Sequence, residues 1–594
     1  MKKSCFAQVI IDISHHTIDR AFTYKIPENL ISRVYIGCPV RVGFGNLKKE
    51  RIAYIIEITE ETELALDKIK EISSIAEEGF FAQSKLIRLA AWMRDYYGST
   101  MSRALMTVLP VKNKMRLKEE KTLSLSIESR EAEVLKEELK RRRRSAALRL
   151  IEALIESGSL DYYFARRQLK ISEDTIRRLE AEGFLSIRNK GKSSVGEADS
   201  GFRMPEYELN EEQREAVEVF KRDFEKGLRG EYLLYGITGS GKTEVYMEMI
   251  RSVIQAGRQV IVLIPEIGLT YQTLRRFQSV FGNRLAVIHS SLSAGERYEQ
   301  FLKALNREAD IMIGPRSALF TPFDNTGLII IDEEHESSYK NESIPRYDSR
   351  EVAAQIGKIY NASLLLASAT PSVESYKKAL EGEMKLLRLQ KRANPEANLA
   401  KTSLVDLRKE LREGNRSIFS RKLKALMEER LEKKEQIMLF MNRRGYSNFV
   451  SCRSCGEAIK CRHCDVSLTY HREGKLRCHY CGFSVDMPKL CPSCSSPYIA
   501  GFGVGTQQLE NMTAKLFPSA RILRLDTDSV KGKDMAGKIL KRFFDREADI
   551  LIGTQMIVKG HDFPGVSLVG IMAADTSLYV SSYTASERTF QLIT

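Results

Sequence analysis

Eight of the chain's ten cysteines lie between residues 452 and 494, where they form four Cys-x-x-Cys pairs. Each pair offers two thiolates to a metal ion, and two pairs complete a tetrahedral zinc site. Four pairs therefore predict two zinc ions, and the spacing alone permits three ways of combining the pairs. Because every ligand position is filled, we interpret the metals as structural. The predicted zinc ligands are Cys452, Cys455, Cys461, Cys464, Cys478, Cys481, Cys491 and Cys494.

The compartment of the chain bears on whether such thiols bind metal. The apolar run near the N-terminus is too short for a signal-peptide core, and no stretch of about 18 uncharged apolar residues occurs. We therefore expect a cytoplasmic protein, in which clustered cysteines bind metal more often than they form disulfides. Free or disulfide-bonded thiols are the alternative, and His463, His471 and His479 are alternative ligands that eight available thiols make unnecessary.

Length and charge narrow the class of protein further. A chain of 594 residues is too long for one core and suggests roughly four to six domains. The 93 Lys and Arg against 78 Asp and Glu give a net charge of +15, which favours a polyanionic partner. A generic charge that only keeps the protein soluble is the alternative.

A Gly-rich loop at residues 236–243 follows a strand-like run and precedes a helical pattern. In that setting glycines let backbone N–H groups close around phosphate oxygens, and the helix N-terminus adds positive potential. The pattern predicts that Lys242 reaches the β and γ phosphates of ATP and that Thr243 ligates Mg²⁺. A chance Gly-rich turn is the alternative. The predicted nucleotide-binding residues of the loop are Gly236, Gly239, Gly241, Lys242 and Thr243.

A second motif, Asp332-Glu333-Glu334-His335, follows the apolar run 328–331. Asp332 is predicted to hold the Mg²⁺ ion of bound ATP, and Glu333 is the natural base for the attacking water. Lys242, Asp332 and Glu333 are thus the predicted catalytic residues. The expected cofactors are Mg²⁺ with ATP and two structural zinc ions.

Short apolar runs recur between helical stretches from residue 232 onward, as expected for strands buried on both faces of a parallel sheet. One set lies between residues 232 and 367 and a second set between residues 437 and 572. They predict an α/β protein with two lobes, and the cysteine block is inserted early in the second lobe. The chemistry of such sheets collects at the carboxyl ends of the strands.

Two further regions precede the lobes. Strand-like runs at 7–13 and 51–58, followed by a helical pattern at 84–97, indicate a small mainly-β domain. Residues 115–190 are mainly helical and basic, and an order of two helices and then a strand hairpin is typical of a winged helix. The alternative for the basic run 140–144 is a solvated helix face.

Other motifs recur along the chain in a fixed order. They are Gln213 in Leu-Asn-Glu-Glu-Gln, Ser368-Ala-Thr370, and stretches at 265–270, 314–320, 442–446 and 553–561. Together with the two nucleotide-site motifs, they resemble the PriA family of replication-restart helicases, which belongs to helicase superfamily 2. The resemblance implies that Gln213 reads adenine and that the Ser-Ala-Thr motif couples ATP hydrolysis to movement of the lobes.

The resemblance also implies residues that contact DNA or report its presence to the ATP site. The segment from Tyr339 to Arg350 occupies the place of the family's aromatic-rich loop, which senses DNA. Arg346-Tyr347 fits the family pattern there, whereas Asp348-Ser349 replaces a more usual His-Ala pair. The implied coupling or DNA-contacting residues are Arg316, Tyr347, Ser368, Thr370 and Lys559.

The implied fold is α/β: two RecA-like parallel-sheet helicase lobes with an inserted two-zinc domain, preceded by a small mainly-β DNA-binding domain and a winged helix. For the zinc ions the resemblance implies a nested pairing of the Cys-x-x-Cys knuckles. The outer knuckles (452/455 and 491/494) bind one ion, and the inner knuckles (461/464 and 478/481) bind the other. The implied domains are a 3′-DNA-end-binding domain (1–108), a winged helix (109–190), a linker (191–205), lobe 1 (206–394), the two parts of lobe 2 (395–450 and 501–594) and the zinc insertion (451–500).

In this family the N-terminal domain grips the 3′ end of the nascent leading strand at a stalled fork. The pocket implied for this chain comprises Phe22, Gly45 and Lys70. Thr23 stands where the family has an acidic residue, so it accepts a hydrogen bond from a terminal 3′-OH without charge assistance. The alternative is that Phe22 and Tyr24 are simply strand core.

The sequence ends with residues Ser586–Thr594, a segment that in relatives continues into a Gln-x-x-Gly-Arg-x-Gly-Arg motif. The arginines of that motif face the γ-phosphate, and an arginine finger contributes roughly 10³ to 10⁵ in rate. A chain without it is expected to bind ATP–Mg²⁺ but to hydrolyse ATP and unwind DNA poorly.

These observations predict an ATP-dependent 3′→5′ DNA helicase that recognises stalled or abandoned replication forks and initiates primosome reassembly. Expected partners are DNA forks, single-stranded DNA and, by resemblance, primosome proteins, single-stranded-DNA-binding protein and the loader of the replicative helicase. A non-catalytic fork-binding scaffold that recruits primosome proteins is the second interpretation. A superfamily 2 motor for repair or restriction is the third, and the eight cysteines speak against it.

Overall fold

A computed structural model divides the chain into two compact units, residues 1–395 and residues 396–594. None of the helices it describes has the length and apolarity that crossing a bilayer requires. Gly45, Lys559 and the stretches 191–207, 266–270 and 442–449 lie outside the described residues. The structure describes residues 5–11, 19–44, 50–62, 64–65, 69–76, 83–109, 121–142, 144–167, 169–189, 208–265, 271–290, 292–393, 400–441, 450–471, 473–501, 505–526, 535–554, 557, 563–579 and 582–594.

An antiparallel sheet and two helices open the first unit. Their bounds are β1 Cys5–Ile11, β2 Phe22–Ile26, β3 Pro39–Val42, β4 Arg51–Thr59, β5 Ile72–Ile75, α1 Ser84–Tyr97 and α2 Met101–Val108. The strand order is β2-β1-β4-β3-β5, and α1 coincides with the helix that the sequence predicts. Ala7, Val9 and Ile11 of β1 enter one hydrophobic core, whereas Ile10 on the opposite face joins the core that contains α1 and α2.

A small sheet with four helices follows. Its bounds are β6 Lys121–Leu125, α3 Ser129–Arg141, α4 Ser145–Ser157, β7 Ser159–Asp161, α5 Tyr162–Arg167, α6 Glu173–Ala181 and β8 Leu185–Asn189. The central strand is β6, which pairs antiparallel with β7 and with β8. The sequence predicted a strand hairpin after the helices, but the structure pairs β8 with a strand that precedes them. The winged-helix assignment itself stays a prediction.

A seven-stranded sheet forms the centre of lobe 1. The bounds are α7 Glu211–Glu225, β9 Glu231–Gly236, α8 Lys242–Gln255, β10 Gln259–Leu263, α9 Tyr271–Phe281, β11 Leu285–Val287, α10 Ala294–Leu305, β12 Ile311–Gly314, β13 Thr326–Asp332, α11 Ser349–Tyr360, β14 Ser363–Ser368, α12 Val373–Leu380 and β15 Lys385–Leu389. The order is β11-β12-β10-β13-β14-β9-β15, and every pairing is parallel. The apolar runs predicted between residues 232 and 367 are strands β9 to β14. The sequence missed β15, an edge strand that is apolar on one face only.

The helices of the N-terminal domain share a hydrophobic core with lobe 1. Leu86 and Met93 of α1 and Leu105 of α2 belong to the same buried cluster as Ile329 and Ile331 of β13. The implied N-terminal domain (1–108) therefore packs directly against the implied lobe 1 (206–394). Because buried apolar contacts resist rearrangement, α1 and α2 are held firmly against lobe 1.

The second unit contains a smaller parallel sheet with the cysteine block inserted in it. The bounds are α13 Leu407–Arg412, α14 Arg421–Glu432, β16 Gln436–Met441, β17 Val450–Cys452, β18 Thr469–Tyr470, β19 Lys475–Arg477, β20 Ser484–Asp486, β21 Ile499–Gly501, α15 Thr506–Leu516, β22 Ile522–Leu525, α16 Met535–Phe544, β23 Ile550–Gly553, β24 Val566–Met572 and α17 Ala585–Ile593. The parallel sheet has the order β22-β23-β16-β24. Strands β17 and β21 pair antiparallel and close the insertion at its base.

Candidate nucleotide, zinc and DNA-end sites

The Gly-rich loop joins the end of β9 to the start of α8. Gly241 is the N-cap of α8 at φ 80°, a left-handed conformation that glycine adopts without strain. At Gly236 a side chain would collide with Ser240 and Leu389. Lys242 Nζ donates to Gly236 O at 2.9 Å, so its ammonium group lies over the start of the loop. The predicted loop residues thus meet at one helix N-terminus, a position that favours an anion.

Gln213 connects helix α7 to this loop. Its side chain is buried; Oε1 accepts from Asn210 N at 2.9 Å, and Nε2 donates to Ser240 O at 2.8 Å. Asn210 Oδ1 accepts from Gln213 N in return, which completes a capping box at the start of α7. In the described conformation the amide supports the loop, and its predicted contact with adenine stays a prediction.

Asp332 ends β13 beside the loop. Its Oδ2 accepts from Tyr246 OH at 3.1 Å and its Oδ1 accepts from Glu333 N at 3.0 Å. Burial raises the pKa of Asp332 above its ordinary value, while the charge of Lys242 and the Tyr246 hydroxyl act to lower it. The next residue, Glu333, has φ 48° and a side chain that is 44% exposed. The Asp332 carboxylate is thus half-buried and bonded to helix α8, whereas the Glu333 carboxylate is more exposed to water.

Two buried tyrosines, neither of which the sequence assigned to the nucleotide site, hold this region. Tyr246 of α8 bonds to Asp332, and Thr243 interacts with the same hydroxyl. Tyr339 OH donates to Asp332 O at 2.6 Å and contacts Leu263 O at 3.1 Å. Burial, followed by the charge of Asp332, raises the pKa of both tyrosines well above the ordinary value. Both hydroxyls therefore keep their protons and position Asp332 as donors.

Glu334 is the centre of a buried polar network. It is 0% exposed and accepts from Ser372 N at 2.5 Å, Ser375 Oγ at 3.1 Å and Arg350 Nη1 at 3.2 Å. Arg350 also donates to Asp348 Oδ2 at 2.8 Å. A buried carboxylate is tolerated only when it is paired and hydrogen-bonded in this way. The network joins the Asp-Glu-Glu-His motif to the starts of α11 and α12.

His335 links that motif to the Ser-Ala-Thr motif. Its Nδ1 lies 2.8 Å from Ser368 Oγ, and Thr370 N donates to the same oxygen at 3.0 Å. Because Ser368 Oγ already accepts one hydrogen bond, its own proton is available for His335. His335 also lies 3.6 Å from the Glu333 carboxylate. The structure thus brings together residues of two motifs that the resemblance relates to coupling.

Arg316 contacts the segment that occupies the place of the family's aromatic-rich loop. Its Nη1 donates to Ser338 O at 3.2 Å and to Lys340 O at 2.9 Å. Tyr347 is 4% exposed and packs edge-on against Phe320 at a ring-centroid distance of 5.6 Å, and burial raises its pKa to about 12. The ring of Tyr347 therefore lies inside the lobe, and its role in coupling stays a prediction.

The eight cysteines of the insertion form two separate clusters, each with all Sγ atoms within 4.8 Å of one another. Within them, the Sγ–Sγ distance is 3.6 Å for Cys452–Cys494 and 3.6 Å for Cys461–Cys481. Four thiolates at about 2.3 Å from zinc lie about 3.8 Å apart at the corners of a tetrahedron, so the donor set fits zinc. The clusters are Cys452, Cys455, Cys491 and Cys494, and Cys461, Cys464, Cys478 and Cys481, which is the nested pairing that the resemblance implied.

Backbone amides prepare these thiols for metal. At Cys452, burial opposes ionisation, but the N–H groups of Cys455 and Ser454 outweigh it and lower the pKa to about 7. The N–H groups of Cys481 and Tyr480 likewise lower the pKa of Cys478 to about 7. Metal binds the thiolate form, so these amides prepare one thiol of each cluster, whereas the Cys481 thiol raises the pKa of Cys464 to about 12.

In the N-terminal sheet, Phe22 lies edge-on to Phe44 at 5.1 Å, with the Arg20 guanidinium 5.3 Å from its ring centre. Thr23 Oγ1 accepts from Gln8 Nε2 at 3.0 Å. The backbone of Lys70 accepts from Lys25 N at 2.9 Å, which places Lys70 next to the strand that carries Phe22. Gly45 is outside the described residues. Phe22 is only half-buried, so an apolar face is available to a base.

A phosphate loop and an Asp-Glu-Glu-His motif at the carboxyl ends of two strands of one parallel sheet, with a second parallel sheet downstream, define a helicase of superfamily 2. Three family descriptions match the chain: the PriA 3′DNA-binding domain at residues 8–110, the Type III restriction enzyme res subunit at 206–373, and the PriA DNA helicase Cys-rich region domain at 461–485. The chain belongs to the replication restart protein PriA family, a family of ATP-dependent DNA helicases.

Similarity to three relatives extends over nearly the whole chain. Identity to replication restart protein PriA of Bacillus subtilis (strain 168) is 38%, covering 99% of this chain and 81% of that protein. It is 36% for PriA of Chlamydia trachomatis, covering 99% and 79%, and 34% for PriA of Haemophilus influenzae, covering 97% and 78%. Such coverage argues against the third interpretation, a repair or restriction motor.

Proposed function

We propose that this chain is an ATP–Mg²⁺-driven 3′→5′ DNA helicase that recognises stalled or abandoned replication forks and initiates primosome reassembly. The observation that carries the proposal is that helix α8 bonds both motifs: Lys242 Nζ donates to Gly236 O of the phosphate loop at 2.9 Å, and Tyr246 OH donates to Asp332 Oδ2 at 3.1 Å. The family membership supplies the fork substrate. The primosome proteins, single-stranded-DNA-binding protein and the helicase loader are the proposed partners.

In the nucleotide site each residue has a proposed role. Lys242 exchanges its bond to Gly236 O for the β and γ phosphates, and the N–H groups that follow Gly239 and Gly241 surround them. Thr243 and Asp332 hold Mg²⁺, which neutralises phosphate charge when it is bound. Glu333, whose side chain is 44% exposed, orients and deprotonates the attacking water. Gln213, seated against the loop, completes the adenine side of the site.

We propose that the nucleotide site is coupled to DNA through the Asp-Glu-Glu-His and Ser-Ala-Thr motifs, which are bonded to each other. The side chains of Glu333 and His335 respond to the presence of the γ-phosphate, and His335 is bonded to Ser368, which is bonded to Thr370. Arg316 holds the carbonyl groups of the segment with Tyr347 and presents that segment to single-stranded DNA. Lys559, outside the described residues, is proposed to contact the same strand from the second lobe.

The direction of movement has a direct test. A duplex with a 3′ single-stranded tail and the same duplex with a 5′ tail are incubated with protein and ATP–Mg²⁺. We expect whatever displacement ATP supports, even if slow, to be greater from the 3′-tailed duplex than from the 5′-tailed one, and none when ATP is omitted. Equal displacement from both, or preference for the 5′ tail, would contradict the proposed polarity.

The proposed DNA-end pocket predicts a loss of fork affinity in Phe22→Ala. Stacking of one base on an aromatic ring contributes about 1–3 kcal/mol, so affinity for a fork with a leading-strand 3′ end should fall by about 5- to 150-fold. Phe22→Tyr, which keeps the ring, should bind as the unaltered protein does. Binding is measured by fluorescence anisotropy with a 3′-OH end, a 3′-phosphate end and no leading strand.

The outcome of that measurement distinguishes the pocket from a structural ring. If Phe22→Ala weakens all three DNAs equally, Phe22 supports the sheet rather than the end of the strand. Because Thr23 already accepts from Gln8, its own hydroxyl proton remains for a donor contact, so the difference between 3′-OH and 3′-phosphate ends is expected to be modest.

The two four-cysteine clusters are proposed to hold zinc permanently and to shape a surface for DNA or for primosome proteins. Arg453 anchors this insertion to lobe 2, because its Nη1 donates to Arg416 O at 2.6 Å. Arg408 Nη1 donates to Cys455 O at 3.3 Å from the side of α13. Eight thiols that remain available for metal suit a reducing compartment, and we place the protein in the cytoplasm.

A further inference from the structure

The strand that carries Phe22 is tied to helix α2 through one carboxylate. Asp19 lies three residues before Phe22, and its Oδ1 accepts from Met101 N at 2.7 Å and from Ser102 N at 3.4 Å. These are the first residues of α2, so Asp19 caps that helix from outside it. A shift of the strand on binding of a DNA end would therefore move the N-terminus of α2.

Helix α1, which packs against α2, meets lobe 1 at both ends. At its start, Gln83 Nε2 donates to Pro322 O at 2.8 Å and Lys85 Nζ donates to Asp324 O at 3.0 Å. At its end, Tyr97 OH donates to Glu351 Oε2 at 2.6 Å and accepts from Asp348 N at 3.3 Å. Burial and the Glu351 carboxylate raise the pKa of Tyr97, which keeps the hydroxyl protonated as a donor.

The residues that Tyr97 contacts begin helix α11, and the same turn reaches the nucleotide site. Asp348 is the N-cap of α11, and its carboxylate binds Arg350 through two hydrogen bonds at 3.1 and 2.8 Å. Arg350 also donates to Glu334, which lies two residues after Asp332. Two residues, the N-cap Asp348 and Arg350, thus connect Tyr97 to the Asp-Glu-Glu-His motif.

We propose that Tyr97 is a positioning residue that couples the DNA-end pocket to the nucleotide site. This inference rests on the proposed function of both sites. Capture of a 3′ end shifts Asp19 and α2, the α1–α2 hairpin transmits the shift to Tyr97, and Tyr97 sets the start of α11 and with it Arg350 and Glu334. Because coupling between two binding sites is reciprocal, ATP–Mg²⁺ also changes the affinity for the DNA end.

Tyr97→Phe tests the proposal, because it removes the hydroxyl and keeps the ring. The affinity for a fluorescent ATP analogue with Mg²⁺ is measured with two saturating forks that differ only in the presence of the leading-strand 3′ end. In the unaltered protein we expect the two affinities to differ by about 5-fold or more, within the usual range for coupled sites. In Tyr97→Phe the two affinities should become equal, while the affinity for nucleotide without DNA stays unchanged.

Tyr96→Phe is the matched control. Tyr96 OH donates to the other oxygen of Glu351 at 3.2 Å, but Tyr96 is 57% exposed, and in the described structure Asp348 N donates to Tyr97 OH instead. The proposal requires that this variant keep the difference between the two forks. Glu351→Gln, which weakens the acceptor of Tyr97 without removing its volume, should reduce the difference.

The fluorescence of Trp92 offers an independent readout at the contact between α1 and α11. It is the single tryptophan of the chain, stacked on Tyr96 at 4.8 Å and edge-on to Tyr97 at 5.7 Å. Nucleotide with Mg²⁺, added without DNA, should change Trp92 fluorescence in the unaltered protein and in Tyr96→Phe, but not in Tyr97→Phe.

The possible outcomes separate this inference from the function on which it rests. If fork and nucleotide both bind and Tyr97→Phe keeps the full difference between the two forks, the inference is overturned and the proposed function is untouched. The inference is also overturned if the unaltered protein shows no difference. If the protein binds no nucleotide in any condition, the proposed function falls and the inference falls with it.

Discussion

Replacing Cys461 and Cys478 together by serine is expected to lower the zinc content from about two ions to about one ion per chain. Both residues belong to the inner cluster, whose four Sγ atoms lie within 4.8 Å of one another. A cluster that lacks two of four thiolates loses its ion, whereas the outer cluster keeps all of its ligands. Zinc is measured by elemental analysis of the purified protein after removal of loosely bound metal.

A second double variant makes this test specific for the pairing. Cys461→Ser with Cys491→Ser removes one thiolate from each cluster, so both ions should be weakened and the zinc content should approach zero. If neighbouring knuckles were paired instead, Cys461 and Cys478 would serve different ions, and the first variant would lose both. Cys5→Ser, which changes a cysteine outside both clusters, should retain the full zinc content.

Loss of zinc should also unfold the insertion locally. Structural zinc sites contribute about 10–16 kcal/mol of apparent binding free energy, which is largely folding free energy of the residues around them. The short strands β18, β19 and β20 and the few apolar side chains around Leu468 and Leu476 form too small a core to fold alone. A strong chelator should therefore expose residues 452–494 to protease while the parallel sheets stay resistant.

Lys242→Ala is expected to weaken binding of ATP–Mg²⁺ by about 10- to 100-fold, since a hydrogen bond to a charged group contributes about 1.5–3 kcal/mol. The turnover of ATP should fall by a further 10²- to 10³-fold or so, as when one donor to developing transition-state charge is removed. The Nζ atom of Lys242 is bonded to the loop at Gly236 O, so its removal affects the nucleotide site and not the DNA-end pocket. Fork affinity should stay within about twofold, below the 1.4 kcal/mol of a tenfold change.

Lys358→Ala is the control for loss of one positive charge from the same lobe. Lys358 is exposed in the last turn of α11, and this variant should bind nucleotide as the unaltered protein does. The same pair of variants separates the two remaining interpretations of function. A scaffold that only recruits primosome proteins would restart replication equally well with Lys242→Ala, whereas a motor would not.

The parallel sheets could be predicted from the sequence because their strands are apolar on both faces. Short apolar runs such as 260–264 and 328–331 leave few alternatives to parallel strands, once a phosphate loop follows one run and an acidic motif follows another. The edge strand β15 was missed because only one of its faces is buried. The strand β6 was missed because Leu123 and Leu125, which alternate with small polar residues, lie in a region whose sequence is mainly helical and basic.

The candidate sites were predicted as far as local patterns reach. Cysteine spacing predicts two zinc ions but leaves three pairings open, and only folding brings Cys452 and Cys494 to 3.6 Å. Tyr246 could not be recognised, because its partner Asp332 lies 86 residues away in the chain. Arg350 was named only as the end of the segment that begins at Tyr339, because its bond to the buried Glu334 has no signature in the sequence. Tyr246 reads as a core residue of α8, and Arg350 as a charge on the surface of α11. The contact of Tyr97 with α11 crosses more than 250 residues and has no sequence signal.

The central claim is that nucleotide chemistry at the phosphate loop powers an action on DNA. Equilibrium binding of radiolabelled ATP to the unaltered protein, with and without Mg²⁺, tests it most directly. We expect one saturable site per chain that requires Mg²⁺, is competed by unlabelled ATP and is weakened by about 10- to 100-fold in Lys242→Ala. If the folded, zinc-loaded protein bound no nucleotide in the presence of Mg²⁺, the account of a motor would be contradicted and only a zinc-bearing DNA binder would remain.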